Sequence, residues 1–289
     1  MIPAPFDYVR AESVDQAIEL LSGNDDAKII AGGHSLLPLM RLRLARPALL
    51  VDISRLADLA YVREDDGQVA IGALTRHHDV ANSEALQELA PIVAYAASLI
   101  GDPAVRHVGT IGGSCAHADP ASDMPTVLLA LGAELLVLGP KGTSRRVTAA
   151  DFFKGLFQPD LASNEVLSEI RVPKTTGRGW SYLKFHRRAQ DWAMVGVAAL
   201  AGNGIGPAVA LTNMGERPPA PPAWRKPWPG ERIRRPRPSE PTRAPARRRT
   251  RSAARSTAES CRRCSCAGPS RRPCPGRRAE ALTLGRASA

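Results

Sequence analysis

The sequence predicts an α+β protein of two folded parts, followed by a tail that cannot build a core. Three observations predict this. Short apolar runs bounded by Gly, Asp or Pro alternate with stretches of helical spacing as far as Leu138. Longer β runs follow one another between Gly179 and Asn213, and apolar residues almost vanish after Gly215. At 289 residues the chain is long enough for two domains of ordinary size. The predicted divisions are 1–173, 179–215 and 216–289.

Taken in order, Ser13-Val14-Asp15-Gln16 has the form of a capping box and opens a helix through Leu21 that should end near Gly23. Lys28–Ala31, Ala48–Asp52 and Val69–Ile71 read as strands. Thr75 is placed to cap the next helix start, and apolar residues circle one helical face from Glu84 to Leu99, predicting a single longer helix. Pro125–Leu131 reads as a helix, Glu134–Leu138 as a strand and Gly139–Gly142 as a turn. In the second part, Trp180–Phe185, Ala193–Leu200 and Ala208–Thr212 read as strands, with Gly202-Asn203-Gly204 as a turn.

Charge is divided unevenly. Residues 1–215 carry 19 Lys and Arg against 23 Asp and Glu, a net of −4; residues 216–289 carry 20 against 5, a net of +15, and together these give the formal +11. The folded part is mildly acidic and gives no reason to invoke nucleic acid. No basic region precedes an apolar core at the N-terminus, and no apolar run approaches the roughly 20 residues of a membrane span. Four of the five cysteines lie in the tail, so no disulfide framework is implied, and a cytoplasmic protein is expected.

The tail holds 13 of the 25 prolines, and its only Ile, Leu, Val, Met or Phe residues are Ile233, Leu282 and Leu284. So little apolar surface cannot offset chain entropy, and disorder is expected. One reading is a basic arm. Zinc at Cys261, Cys264, Cys266 and Cys274 is disfavoured by the irregular spacing and the lack of a supporting His. A third reading is a frame-shifted translation of GC-rich DNA: with GC-rich codons, Ala223–Gly230 read two bases on can spell a helix-forming segment. In that case the strands of 179–215 lack helices to cover them, and the second domain is incomplete.

Two glycine-rich stretches carry the chemistry. Ala31-Gly32-Gly33-His34-Ser35-Leu36 and Thr110-Ile111-Gly112-Gly113-Ser114 each place a small hydroxyl residue shortly after a double glycine. Glycine lets the backbone come close to a ligand, and successive free amides make a concave anion site. Either stretch alone reads as an ordinary turn. Two in one fold suit the linked phosphates of a dinucleotide. Neither has the Lys of a Walker loop or the spacing G-x-G-x-x-G. His77, His78 and His117 have no acidic or cysteine partner at ligand spacing, so no metal site is expected.

The surroundings are more specific. Ile100-Gly101-Asp102-Pro103-Ala104-Val105-Arg106-His107-Val108-Gly109 runs into the second stretch, which continues as Cys115-Ala116-His117-Ala118-Asp119-Pro120-Ala121-Ser122-Asp123-Met124-Pro125. With the opening Ile2–Tyr8 and the later Lys184–Trp192, this resembles the flavin-binding medium subunit of the molybdenum hydroxylases, the family of carbon monoxide dehydrogenase and xanthine dehydrogenase. The resemblance covers roughly residues 1 to 215.

That resemblance implies a two-subdomain FAD-binding domain of the vanillyl-alcohol-oxidase (PCMH) type, with a small α+β C-terminal domain after it. FAD would lie extended between the subdomains. The amides of Gly32, Gly33, His34 and Ser35 would cradle its pyrophosphate, flanked by Ala31 and Leu36, with Thr110, Ile111, Gly112, Gly113 and Ser114 as a second loop. Asp123 would accept hydrogen bonds from the cofactor, or else cap a helix before Pro125. Lys184 and Trp192 would approach the flavin and Leu167 the adenine or ring edge, with core packing the competing reading for Trp192. His107 departs from the polar residue, often Asn, usual at that position, and no four-cysteine insertion is present, which implies flavin alone. No catalytic residue is assigned to this chain. The implied partners are a large molybdopterin subunit, a small subunit with two [2Fe-2S] clusters and an external electron acceptor, in a heterotrimer that dimerises. The substrate, whether carbon monoxide, a purine or an aldehyde, would be chosen by the large subunit. The alternative is a stand-alone FAD oxidoreductase of the vanillyl-alcohol-oxidase type.

Overall fold

Three short parallel strands begin the fold: β1 (Asp7–Arg10), β2 (Ala27–Ile30) and β3 (Leu49–Asp52), in the order β1-β3-β2. The computed structural model describes residues 2–202 and 205–220. Helix α1 (Val14–Ser22) joins β1 to β2, and α2 (Leu36–Arg41) lies between β2 and β3. The expected cap forms: the Gln16 amide donates to Ser13 Oγ at 3.1 Å. The Gln16 side chain accepts from the Glu12 amide instead of that of Ser13. Ala17, Ile18 and Leu21 make one buried stripe, which packs in a cluster with Ala27, Val51 and Ile53.

The chain continues through β4 (Val62–Asp65) and β5 (Gln68–Gly72) into a helical block. Its helices are α3 (His77–Asn82), α4 (Glu84–Leu89), α5 (Pro91–Ser98), α6 (Pro103–Arg106), α7 (Ile111–His117) and α8 (Asp123–Leu131). Then come β6 (Glu134–Leu138), β7 (Ser144–Thr148), α9 (Ala149–Phe152), the small pair β8 (Phe153–Gly155) and β9 (Gln158–Pro159), and β10 (Val166–Pro173). A five-stranded antiparallel sheet forms in the order β4-β5-β10-β6-β7. Residues from the helical block, Val93, Ile111, Met124 and Leu128 among them, share a core with Val69, Ile71, Leu135 and Ile170 of this sheet.

Two expectations are corrected. The single helix 84–99 is broken into α4 and α5 at Ala90, whose backbone (φ −144°, ψ 59°) is not helical. Pro91 explains the break: its ring drives the preceding residue out of the helical region, and it starts the next helix as its first residue. Thr75 does not cap a helix either, since Arg76 holds the cap position of α3. The Thr75 hydroxyl is buried and bonds the backbone carbonyl of Tyr61 at 2.9 Å.

The remaining strands, β11 (Gly179–Phe185), β12 (Val195–Gly202) and β13 (Ile205–Thr212), form an antiparallel sheet in that order. Tyr182, Ala198, Leu200 and Ala210 point into the main core. The opposite face is apolar and open: Leu183 pairs with Val197 and that with Leu211, yet Leu183 is 68% and Phe185 67% exposed. The turn predicted around Asn203-Gly204, and the tail beyond Ala220 with its cysteines, lie outside the described residues. No described helix is long and apolar enough to cross a membrane.

Candidate functional site

The first glycine stretch follows β2 at the carboxyl end of the parallel sheet, where open α/β sheets hold ligands. Gly33 has φ +71°, a conformation that favours glycine. The amides of Gly32, Gly33, His34 and Ser35 donate to no acceptor among the described residues. Four consecutive unpaired donors make a cradle for an anion. Ala31 and Leu36 flank it, Leu36 as the first residue of α2.

The second stretch lies against the first. A Cβ on Gly32 would stand 2.4 Å from the Val108 carbonyl oxygen and 2.8 Å from Gly109 Cα, so the two backbones touch where only glycine fits. Thr110 caps α7, its Oγ1 accepting from the Gly113 amide at 3.1 Å. Ile111, Gly112 and Ser114 donate to the carbonyls of Thr75, Ala73 and Thr110. These amides are spent inside the fold. Gly112 is glycine because Ala73 Cβ would lie 2.5 Å from its own. What this stretch has left is hydroxyl chemistry: the buried Thr110 hydroxyl keeps a donor, and Ser114 Oγ pairs with Ser122 Oγ at 2.6 Å.

His77 packs behind this junction. Its ring is buried against Gly109, its amide donates to the Gly109 carbonyl, and Nδ1 has no partner among the described residues. Burial above all, then the charge of Arg106 and the nearness of His34, lowers its pKa to about 4. An unfolded histidine titrates near 6.5, so on acidification the unfolded state takes up the proton first. Stability from the neutral ring is complete above about 6.5 and lost as the pH falls through about 4, a loss of about 3 kcal/mol over the window. Urea midpoints at pH 7, 5 and 4 should fall steeply for the native chain and less so for His77→Gln; equal slopes would refute this.

A second group of residues gathers beyond Arg106. Asp123, at the start of α8, is buried and accepts from the Tyr182 hydroxyl at 2.5 Å and from Lys184 Nζ at 2.8 Å. Lys184 Nζ also donates to the Leu99 carbonyl at 3.1 Å, which leaves one of its three protons unused among the described residues. Thr212 Oγ1 lies 3.4 Å from the Tyr182 hydroxyl and bonds Thr126 Oγ1 at 2.8 Å. Burial raises the pKa of the Asp123 carboxyl, against the pull of Lys184 and Tyr182. Burial first, then Asp123, raises that of the Tyr182 hydroxyl, which therefore stays a donor.

Tyr182 and Lys184 form part of the wall of a cleft of about 520 Å³, with Tyr95, Leu99, Arg106 and His186 also lining it. Arg106 donates to the carbonyls of Ile100 and Gly101, and Asp102 Oδ1 caps its helix by accepting from the Val105 amide. Arg106 thus links the two groups, since it borders the cleft and sits near enough to His77 to depress its pKa. The arrangement can hold an anionic group at the amides and set one positive charge, backed by a buried carboxylate, beside the cleft.

Of the residues singled out in the sequence, the structure brings Gly32 against the Val108–Gly109 backbone that leads into Thr110, and joins Asp123 to Lys184. Leu167 is buried in β10, paired with Val137 in the sheet core. Trp192 is 71% exposed, beside the cleft residue Asp191, so core packing does not account for it. The sequence did not single out Tyr182 or Arg106, and it raised His77 only as a metal ligand to be set aside. The alternation Trp180, Tyr182, Lys184 along one strand could have revealed Tyr182, because strand neighbours two apart share a face.

Comparison with known proteins identifies the family. The family described as "FAD binding domain in molybdopterin dehydrogenase" matches residues 4–175. The chain is 45% identical over 208 residues to the glyceraldehyde dehydrogenase medium chain of Sulfolobus acidocaldarius, covering 71% of this chain and 74% of that one. It is 44% identical over 220 residues to the carbon monoxide dehydrogenase medium chain of Hydrogenophaga pseudoflava, covering 74% and 76%. The solved carbon monoxide dehydrogenase of the latter organism superposes with a TM-score of 0.73 at 43% identity, over 76% of this chain and 78% of that chain.

Proposed function

Because this chain belongs to the family of FAD-binding domains of molybdopterin dehydrogenases, we propose that it is the flavin subunit of a molybdenum hydroxylase. It takes electrons from the [2Fe-2S] clusters of a small partner subunit and delivers them to an external acceptor, while a large molybdopterin subunit oxidises the substrate. The observation that carries this reading is the cradle of four unpaired amides at Gly32–Ser35, in a fold that also forms a cleft bordered by Arg106 and Lys184. Such a cradle suits a pyrophosphate, and a cleft of about 520 Å³ has room for a planar ring. When bound, FAD supplies redox chemistry in one- or two-electron steps.

The chain's own residues do the holding. Gly32, Gly33, His34 and Ser35 bind phosphate oxygens, and the Thr110 hydroxyl donates from the facing loop. Lys184 directs its free proton into the cleft, with Asp123 and Tyr182 fixing its position. Trp192 stands ready to shield one side, and Leu167 of β10 is assigned to the adenine or ring edge. The same reading divides the chain into a two-subdomain PCMH-type domain (1–173), the strands of an incomplete C-terminal domain (179–215) and the basic tail, in a cytoplasmic heterotrimer. Stop codons in the shifted frame of 216–289 would sink the frameshift part of it.

The test is a visible spectrum of the purified chain, with release and identification of the bound cofactor. About one FAD per chain is expected, with molybdenum and iron following the chain through purification. FAD without either metal would favour the stand-alone oxidoreductase. No flavin after incubation with FAD would sink both readings.

A further inference from the structure

The segment leaving the cradle carries a surface that the cofactor does not use. Leu37, Leu42 and Leu44 are exposed, Leu42 by 56% and Leu44 by 74%, and Arg41, Arg43 and Arg46 alternate with them. None of the three guanidiniums meets a carboxylate among the described residues, although the fold around them is net acidic. Arg43 has φ +59°, a left-handed conformation that costs a non-glycine residue on the order of 1 kcal/mol. It is held there by Arg46 Nε, which donates to the Arg43 carbonyl at 3.1 Å, and by the Leu44 and Ala45 amides, which both donate to Leu39 O.

We propose that this surface, Leu37–Arg46, is a docking site for an acidic protein surface with an apolar centre, carried by another subunit of the same complex. The proposal rests on the function proposed above. Charge selects the occupant. The chain's own tail, at +15, is repelled, and a second copy docked through the same face would set arginine against arginine. The pyrophosphate is a poorer occupant, because Arg41 ends α2 roughly 9 Å along its axis from the cradle, and Arg43 and Arg46 follow beyond the helix. Since α2 begins at Leu36, a partner seated here holds the element that shapes the cradle.

The experiment uses the full chain, affinity-tagged and produced with its partner subunits, counting molybdenum, iron and FAD per chain. Two variants are compared with the native chain: Arg41→Glu/Arg43→Glu/Arg46→Glu, and Leu44→Asp, whose exposed position spares the core. At least a tenfold drop in both metals with FAD unchanged is expected for the triple variant, and a smaller drop for Leu44→Asp. If the triple variant loses FAD as well, Leu44→Asp decides alone. Metals retained by both variants overturn the proposal. So does binding of the native chain to phosphatidylserine vesicles that both variants lose while keeping the metals. FAD without metals on the native chain would instead overturn the proposed function, and this partner with it.

Discussion

Gly32→Ala is expected to weaken FAD binding by about 10- to 100-fold, read by flavin fluorescence on titration of the apoprotein. The new methyl would stand 2.4 Å from the Val108 carbonyl oxygen and 2.8 Å from Gly109 Cα. Both are backbone atoms, so no side-chain rotation relieves the clash. The loops must separate, and the cradle moves away from the Thr110 hydroxyl. Overpacking of this kind costs about 1–3 kcal/mol. Gly23→Ala is the control: its Cβ would meet only the Glu19 and Leu20 carbonyl oxygens, at 3.5 and 3.9 Å, and FAD binding should not change. Equal affinities for the two variants would remove the reason given for glycine at 32.

Lys184→Met should be the most destabilising single change, by about 3–5 kcal/mol in urea unfolding at neutral pH. It leaves the Asp123 carboxylate buried with only the Tyr182 hydroxyl to answer it. Asp123 already has a raised pKa in the fold, so the folded state binds its proton more tightly than the unfolded state does. The associated stability is full below the unfolded value and is lost as the pH rises through the folded one. Removing Lys184 raises the folded value further. The deficit should therefore be largest at neutral pH and shrink on acidification. Adding Asp123→Asn should recover most of it, and a double variant no better than Lys184→Met would show that the pair is not the cause.

Much of this was legible because local rules and global packing agree. Ser13 and Gln16 mark the start of α1, and the double glycine at Gly32-Gly33 marks the turn that follows β2. Where the rules competed, the reading failed. The apolar face from Glu84 to Leu99 is continuous, but Pro91 sets the backbone at Ala90, and backbone sterics outrank periodicity. The central strand β10 was missed because Ser168, Glu169 and Arg171 make it look polar. In the fold, Glu169 is buried and paired with Arg171 on its own strand and with Tyr61, a partner far away in sequence that spacing does not reveal. At the second stretch the double glycine was read as an open loop. Gly112 serves instead to let α7 press against Ala73, a contact between residues far apart in sequence.

The outer side of the β11–β13 sheet has a colloidal consequence. Among the described residues no strand pairs with the free edge of β11, whereas β13 is partly closed by the Leu211 amide donating to the Pro219 carbonyl at 3.1 Å. An open edge beside a wide apolar face is a template for sheet-to-sheet growth. Losses during handling should therefore follow protein concentration rather than temperature. Sulfate and phosphate, which strengthen apolar association, should hasten clouding, and dilute urea should delay it at concentrations too low to unfold the chain.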